Sequence, residues 1–168
     1  MMPPANPGRE KGPPTLAEKR FDSVADIIAF AVRREIDAAE GYARIAAKAT
    51  TPGLRELADD LRRQEESHRH LLEGLTAGAI CGLGTSSVPD LRIVDALADE
   101  KISGDMSIQD MLIFAAKKEA RSIDLYESLV RRAGGSGSER VFLFLAGQER
   151  EHKLKIETEY EKQVLKEN

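Results

Sequence analysis

Glutamate and histidine three residues apart occur twice in this chain, as Glu65-Glu66-Ser67-His68 and as Glu149-Arg150-Glu151-His152. In a helix, positions i and i+3 lie on one face about one turn apart. Each pair can therefore aim a carboxylate and an imidazole at the same point. Carboxylate oxygen beside imidazole nitrogen is a donor set for a divalent transition metal.

The pairs belong to a larger repeat. A shift of 84 residues carries Glu65 to Glu149 and His68 to His152. The same shift carries Glu35 to Glu119, Tyr42 to Tyr126, Phe30 to Phe114, Ala31 to Ala115, Leu61 to Leu145 and Gln64 to Gln148. One ungapped offset aligning all of these indicates a duplicated helical hairpin. Each half supplies one helix with a lone Glu and one helix with Glu-x-x-His.

Four helices must position these groups. The first starts at Ser23, a residue type that caps helix N-termini, and carries the apolar stripe Ile28, Ala31, Val32, Ala38, Ala39, Tyr42, Ile45 and Ala46. Glu35 falls inside that stripe, seven residues after Ile28 and seven before Tyr42. Thr51 caps the second helix with Pro52 at its first position; its inward face is Leu54, Leu57, Ala58, Leu61, Glu65, His68, Leu71, Leu72 and Leu75. The third starts at Ser107 and presents Met111, Leu112, Ala115, Glu119, Ser122, Ile123, Tyr126, Leu129 and Val130. Gly134-Gly135 ends it, and Ser136-Gly137-Ser138-Glu139 has the capping-box pattern that opens a fourth. That helix turns Val141, Phe142, Leu145, Glu149, His152 and Ile156 inward, and its charged end from Lys162 to Asn168 is expected to fray.

Residues 1–20 are rich in Pro, Gly and charge and are expected to be a loose tail, leaving 21–168 as the folded domain. Gly78, Gly82, Gly84 and Pro89 break the pattern between the hairpins, with room for a short helix over 90–100. This connection is long enough to run the length of a bundle or to hand the second hairpin to another chain. The expected fold is all-α: a ferritin-like four-helix bundle of two duplicated hairpins joined by a long crossover.

Composition narrows the function. The chain has 168 residues, a net charge of -4 and a single cysteine, Cys81. That balance offers no electrostatic attraction to nucleic acid or an anionic membrane. One cysteine excludes an internal disulfide framework, and no apolar run approaches the ~20 residues of a membrane span. A cytoplasmic location is expected.

With four stripes turned inward, four carboxylates and two imidazoles meet in the core, and no Lys or Arg on the stripes balances them. Burying an unpaired ion is costly even after relaxation. Two divalent cations would neutralise four carboxylates. Oxygen ligands with one imidazole per metal suit iron or manganese, and the lack of thiolates argues against a structural zinc site. Iron is the first choice; manganese fits the same ligands, and zinc could substitute. Tyr42 and Tyr126 either hydrogen-bond the ligating carboxylates or simply fill the core. His70, two residues from His68, faces elsewhere and is expected at the surface.

On Glu35 with Tyr42, Glu65-x-x-His68, Glu119 with Tyr126, and Glu149-x-x-His152, the chain resembles the rubrerythrin family of ferritin-like di-iron proteins over residues 21–165. The resemblance implies two irons bridged by Glu65 and Glu149, with Glu35 and Glu119 as terminal ligands and His68 and His152 one on each metal. It also implies reduction of hydrogen peroxide, with oxygen as the competing oxidant. A homodimer is expected. Two departures stand out. The four-cysteine rubredoxin domain of typical members is not found here, so electrons are expected from a separate donor protein. Typical members also place a further Glu three residues after the third-helix ligand, where this chain has Ser122. That substitution brings in ferroxidase or iron-handling chemistry as the alternative.

Overall fold

The computed structural model describes residues 23–75 and 101–167. The proposed tail, the short helix over 90–100 and Cys81 lie outside them.

Four helices carry the described chain: α1 (Val24–Lys48), α2 (Pro52–Glu73), α3 (Ile108–Ala133) and α4 (Gly137–Glu167). No strand occurs among the described residues. Their boundaries follow local chemistry. The Ser23 hydroxyl accepts from the Asp26 N–H at 3.1 Å, Thr51 Oγ1 from the Leu54 N–H at 3.2 Å, and Ser107 Oγ from the Asp110 N–H at 3.1 Å. Each satisfies an N–H that the first helical turn leaves without a carbonyl. Pro52 opens α2, where its missing N–H costs nothing.

The start of α4 differs from the expected capping box. The Glu139 carboxylate does reach back, but it accepts from the Gly135 N–H at 2.6 Å, while Ser136 Oγ pairs with Ser138 Oγ at 2.8 Å. Gly135 has φ +80°, the left-handed conformation that favours glycine, and this turn brings its N–H under Glu139. The far end of α4 also departs from expectation. The helix continues to Glu167, and Gln163 is buried there, its amide donating to Glu159 Oε1 at 2.6 Å.

Within each hairpin the helices pack densely; between hairpins α1 meets α3 and α2 meets α4 more sparsely. Tyr42 bonds to Glu119 and Tyr126 to Glu35, a reciprocal pairing that requires α1 and α3 to run antiparallel. The result is the all-α four-helix bundle expected, with two helical hairpins in chain order. The end of the crossover connection between them lies along α1. Ile102 is buried against Gly41, where an added Cβ would come within 3.0 Å of Ile102 Cδ1. Lys101 pairs with Asp37 at 2.8 Å, and Lys48 Nζ donates to the Gly104 carbonyl at 2.9 Å.

Two apolar clusters fill the interior. One contains Ile27, Leu72, Leu129 and Phe142; the other contains Ile45, Leu54, Leu61, Met111 and Ile156. The Glu and His side chains occupy the layer between them. No described helix is long and apolar enough to cross a membrane.

A buried carboxylate and imidazole centre

Glu35, Glu65, His68, Glu119, Glu149 and His152 are each no more than 2 % exposed. The four helices bring all six together, one lone Glu from each of α1 and α3 and one Glu-x-x-His pair from each of α2 and α4. Glu65, His68, Glu149 and His152 each offer a ligand atom within 4.8 Å of the others, a group that could hold a metal ion.

The Nδ1 side of both rings faces the carboxylates. His68 Nδ1 lies 3.1 Å from Glu65 Oε2, 3.0 Å from Glu149 Oε1 and 3.7 Å from Glu35 Oε2. His152 Nδ1 lies 2.8 Å from Glu65 Oε1 and 3.6 Å from Glu149 Oε2. Glu65 and Glu149 thus each approach both imidazoles, and the two rings stack at 5.3 Å with 14° between their planes. Behind this layer, the Tyr126 phenol donates to Glu35 Oε1 and the Tyr42 phenol to Glu119 Oε1. Both tyrosines are buried and hydrogen-bond carboxylates of the cluster.

The electrostatics are unusual. Burial, followed by the charge of Glu119, pushes the Glu65 carboxyl up to about 8. Burial and then Glu149 raise Glu119 well above the ordinary carboxyl range. Glu35 goes the other way: burial raises it, but the bonds from His68, Glu65 and Tyr126 outweigh that and leave it lowered. Burial alone would lower both imidazoles. Their carboxylate partners, led in each case by Glu149, instead push His68 up to about 12 and His152 up to about 10. Burial, then Glu119 and Glu35 respectively, raises the Tyr42 and Tyr126 phenols well above their usual value. They therefore stay protonated as donors.

Three atoms test whether a cation fits. Glu65 Oε1, Glu149 Oε1 and His152 Nδ1 are buried without a hydrogen-bond partner of proper geometry, although Glu65 Oε1 lies 2.8 Å from His152 Nδ1 and Glu149 Oε1 lies 3.0 Å from His68 Nδ1. Convergence without hydrogen-bond alignment is poor for polar groups left to each other and suits ligands sharing a cation. The donor set and the orphaned atoms both fit.

Several other expectations can be placed. His70 is exposed and lies 3.4 Å from Glu73. Leu71, expected inward, is 44 % exposed. Ser122 is buried and accepts from Arg34 Nη2 at 3.2 Å. Gln64 stands out in the sequence only as one member of a repeat; it accepts from His152 Nε2 at 3.1 Å. Its place one residue before Glu65, on a flank beside the ligand stripe, is the signal that could have found it.

No family model and no curated protein matches the chain. Among solved structures, a hypothetical protein from Pyrococcus furiosus, Pfu-1136390-001, is similar with a TM-score of 0.63 and 23% identity, covering 80% of this chain and 86% of that one. Likeness at that identity speaks to the fold alone.

Proposed function

We propose that this chain is a dinuclear-iron oxidoreductase of the rubrerythrin kind, reducing hydrogen peroxide with electrons from a separate donor protein. The observation that carries the reading is the set of orphaned, convergent ligand atoms on Glu65, Glu149 and His152 at the centre of a carboxylate-rich core. A folded bundle needs no such cluster, since apolar residues of similar volume would fill the layer at less cost.

Two irons supply the two electrons that peroxide takes up with two protons to give two waters. The protein's residues do the rest. Glu65 and Glu149 each approach both imidazoles and would be shared between the metals, while Glu35 and Glu119 would serve as terminal ligands, with His68 and His152 one to each metal. The Tyr42 and Tyr126 O–H groups hold the terminal carboxylates by hydrogen bonds that cross between hairpins. Fixing a ligand from behind in this way tunes the metal and limits its movement. Glu65, with its carboxyl pushed up to about 8, would have to give up its proton to ligate a cation. Manganese satisfies the same donors, and zinc can replace either metal. A homodimer, with or without exchanged hairpins, belongs to the same proposal.

Ser122 favours a second reading. It stands where the resemblance has a carboxylate, and Arg34 rather than an acid fills that side. A site without that extra ligand suits ferroxidase chemistry, in which ferrous iron is the substrate and is passed on after oxidation. Metal analysis and stopped-flow oxidation separate the readings. The peroxidase reading expects about two irons per chain and a reduced protein that reacts faster with peroxide than with oxygen. Equal or slower reaction with peroxide, with turnover of added ferrous iron, selects the ferroxidase.

A further inference from the structure

The duplication suggests two equivalent metal positions, but the backs of the two imidazoles differ. His152 Nε2 bonds to Gln64 Oε1 at 3.1 Å across α2 and α4. The orientation of the Gln64 amide is set in turn by its own helix, because Gln64 Nε2 donates to the Asp60 carbonyl at 3.4 Å. A carbonyl oxygen only accepts, so the amide nitrogen turns to Asp60 and the amide oxygen to His152. His152 Nε2 must then carry the hydrogen. When His152 is neutral, its lone pair lies on Nδ1, the atom 2.8 Å from Glu65 Oε1.

Among the described residues, His68 has no such support. The residue that the shift of 84 places opposite Gln64 is Gln148, and among the described residues no hydrogen bond joins it to His68. The His68 ring instead lies T-shaped to the Phe144 ring, with centroids 6.4 Å apart and planes at 87°. Phe144 has no oxygen or nitrogen acceptor with which to fix a tautomer as the Gln64 amide does.

Resting on the dimetal reading above, we propose that the two metal positions are unequal and that Gln64 is the positioning residue that makes the His152 position the first to fill. A partner that fixes a ligating imidazole contributes roughly 10- to 100-fold in metal affinity. Among the described residues, His152 has that partner and His68 does not. Gln64 acts through His152 and touches no reacting atom.

Cobalt(II) titration of the chelator-treated full chain, followed by visible absorption and by calorimetry, tests this. Wild type is expected to bind about two equivalents in two resolved steps. Gln64→Leu keeps the side-chain bulk but removes the acceptor, and is expected to weaken the tighter step by about 10- to 100-fold while leaving the weaker one unchanged. Gln64→Glu restores an acceptor and should restore the tight step, a rescue that a purely space-filling role would not produce. Gln148→Leu should leave both steps unchanged. Helix content by circular dichroism shows that each variant is folded. One unresolved two-equivalent step in wild type, or equal weakening by Gln64→Leu and Gln148→Leu, overturns the inequivalence. Failure of wild type to bind cobalt overturns instead the dimetal reading on which it rests.

Discussion

The two hairpins agree at the lone glutamates and their tyrosines and diverge elsewhere. Glu35 with Tyr126 and Glu119 with Tyr42 are mirror images of one another. Arg34 over the Phe30 ring is matched by Lys118 over the Phe114 ring. Away from the centre the match fails. Gly41 of α1 corresponds to Leu125 of α3. Leu125 fills its own place in the core, whereas the space left by Gly41 is taken by Ile102 from the crossover. Along α4, Leu143, Phe144 and Leu154 are exposed where α2 carries Asp59, Asp60 and His70. A duplicated site constrains only the residues that build it. The chain that links the copies can run along just one of them and breaks the symmetry there.

The largest test of that division strikes the shared centre. Glu65→Ala or Glu149→Ala removes a carboxylate that approaches both imidazoles. Bound metal is expected to fall from about two per chain to less than one, and on the proposed reading any peroxide reduction falls with it. Glu35→Ala and Glu119→Ala are expected to retain about one metal each, since each touches one side of the cluster. Retention of full stoichiometry in Glu65→Ala, read by elemental analysis, removes the bridging role.

The pH response sharpens the same point. Glu65 is raised from 4.5 to about 8 and His152 from 6.5 to about 10. A group whose folded value lies above its unfolded value stabilises fully below the unfolded value and loses that contribution as pH rises through the folded one. Glu65 therefore loses its contribution between 4.5 and about 8, and His152 between 6.5 and about 10. Glu35 is lowered and has the opposite sign, but its contribution is lost only as pH falls below the ordinary carboxyl range. The chelator-treated protein should accordingly melt at a lower temperature at pH 9 than at pH 6. Added metal should narrow that gap, because deprotonation favours its ligands. A melting temperature that is flat or rises over this range in the chelated protein contradicts the charge pattern described for the cluster.

The crossover provides a test outside the centre. Ile102→Ala removes a side chain that is 4 % exposed over Gly41, and such truncations cost about 2–5 kcal/mol. Leu125→Ala, at the matching place on α3, is expected to cost a similar amount, although one residue sits in a connection and the other in a helix. Gly41→Leu, which gives α1 the residue that α3 carries, forces a side chain into the space of Ile102 and should cost about 1–3 kcal/mol. Denaturant unfolding measures all three. A neutral Ile102→Ala would show that the crossover rests on α1 without stabilising it.

Much of this is legible in the sequence, and the departures share a cause. Helical period identifies the lone Glu residues and both Glu-x-x-His pairs because each sits at the centre of an apolar stripe. At stripe edges the same period does not distinguish inside from outside. Leu71 is expected inward and is 44 % exposed, while Ile27 and Leu125 lie within 2 % of full burial and fall outside the expected stripes. Helix–helix tilt decides such flanking positions, and tilt depends on the partner. Gln64 belongs to the same class, since its role exists only once α4 lies beside α2. The charged end of α4 reads as frayed because its charges are visible in sequence and the buried bond between Glu159 and Gln163 is not.

The smallest effects come from the mirrored tyrosines, and they test the symmetry most directly. Tyr42→Phe and Tyr126→Phe each delete one phenol O–H without changing the ring, and each leaves a buried carboxylate oxygen short of a donor. Hydrogen bonds to charged groups contribute about 1.5–3 kcal/mol. In the metal-loaded protein, where both carboxylates would be charged, both changes should lower stability by amounts in that range and about equally, because each tyrosine bonds the carboxylate of the opposite hairpin. Their sites lie on opposite sides of the cluster but share it, so the double variant need not be additive. Unequal single losses in denaturant unfolding would show that the inequivalence at the histidines extends to the terminal carboxylates. Equal losses confine it to the α2–α4 side, where Gln64 supports one imidazole and Phe144 merely covers the other.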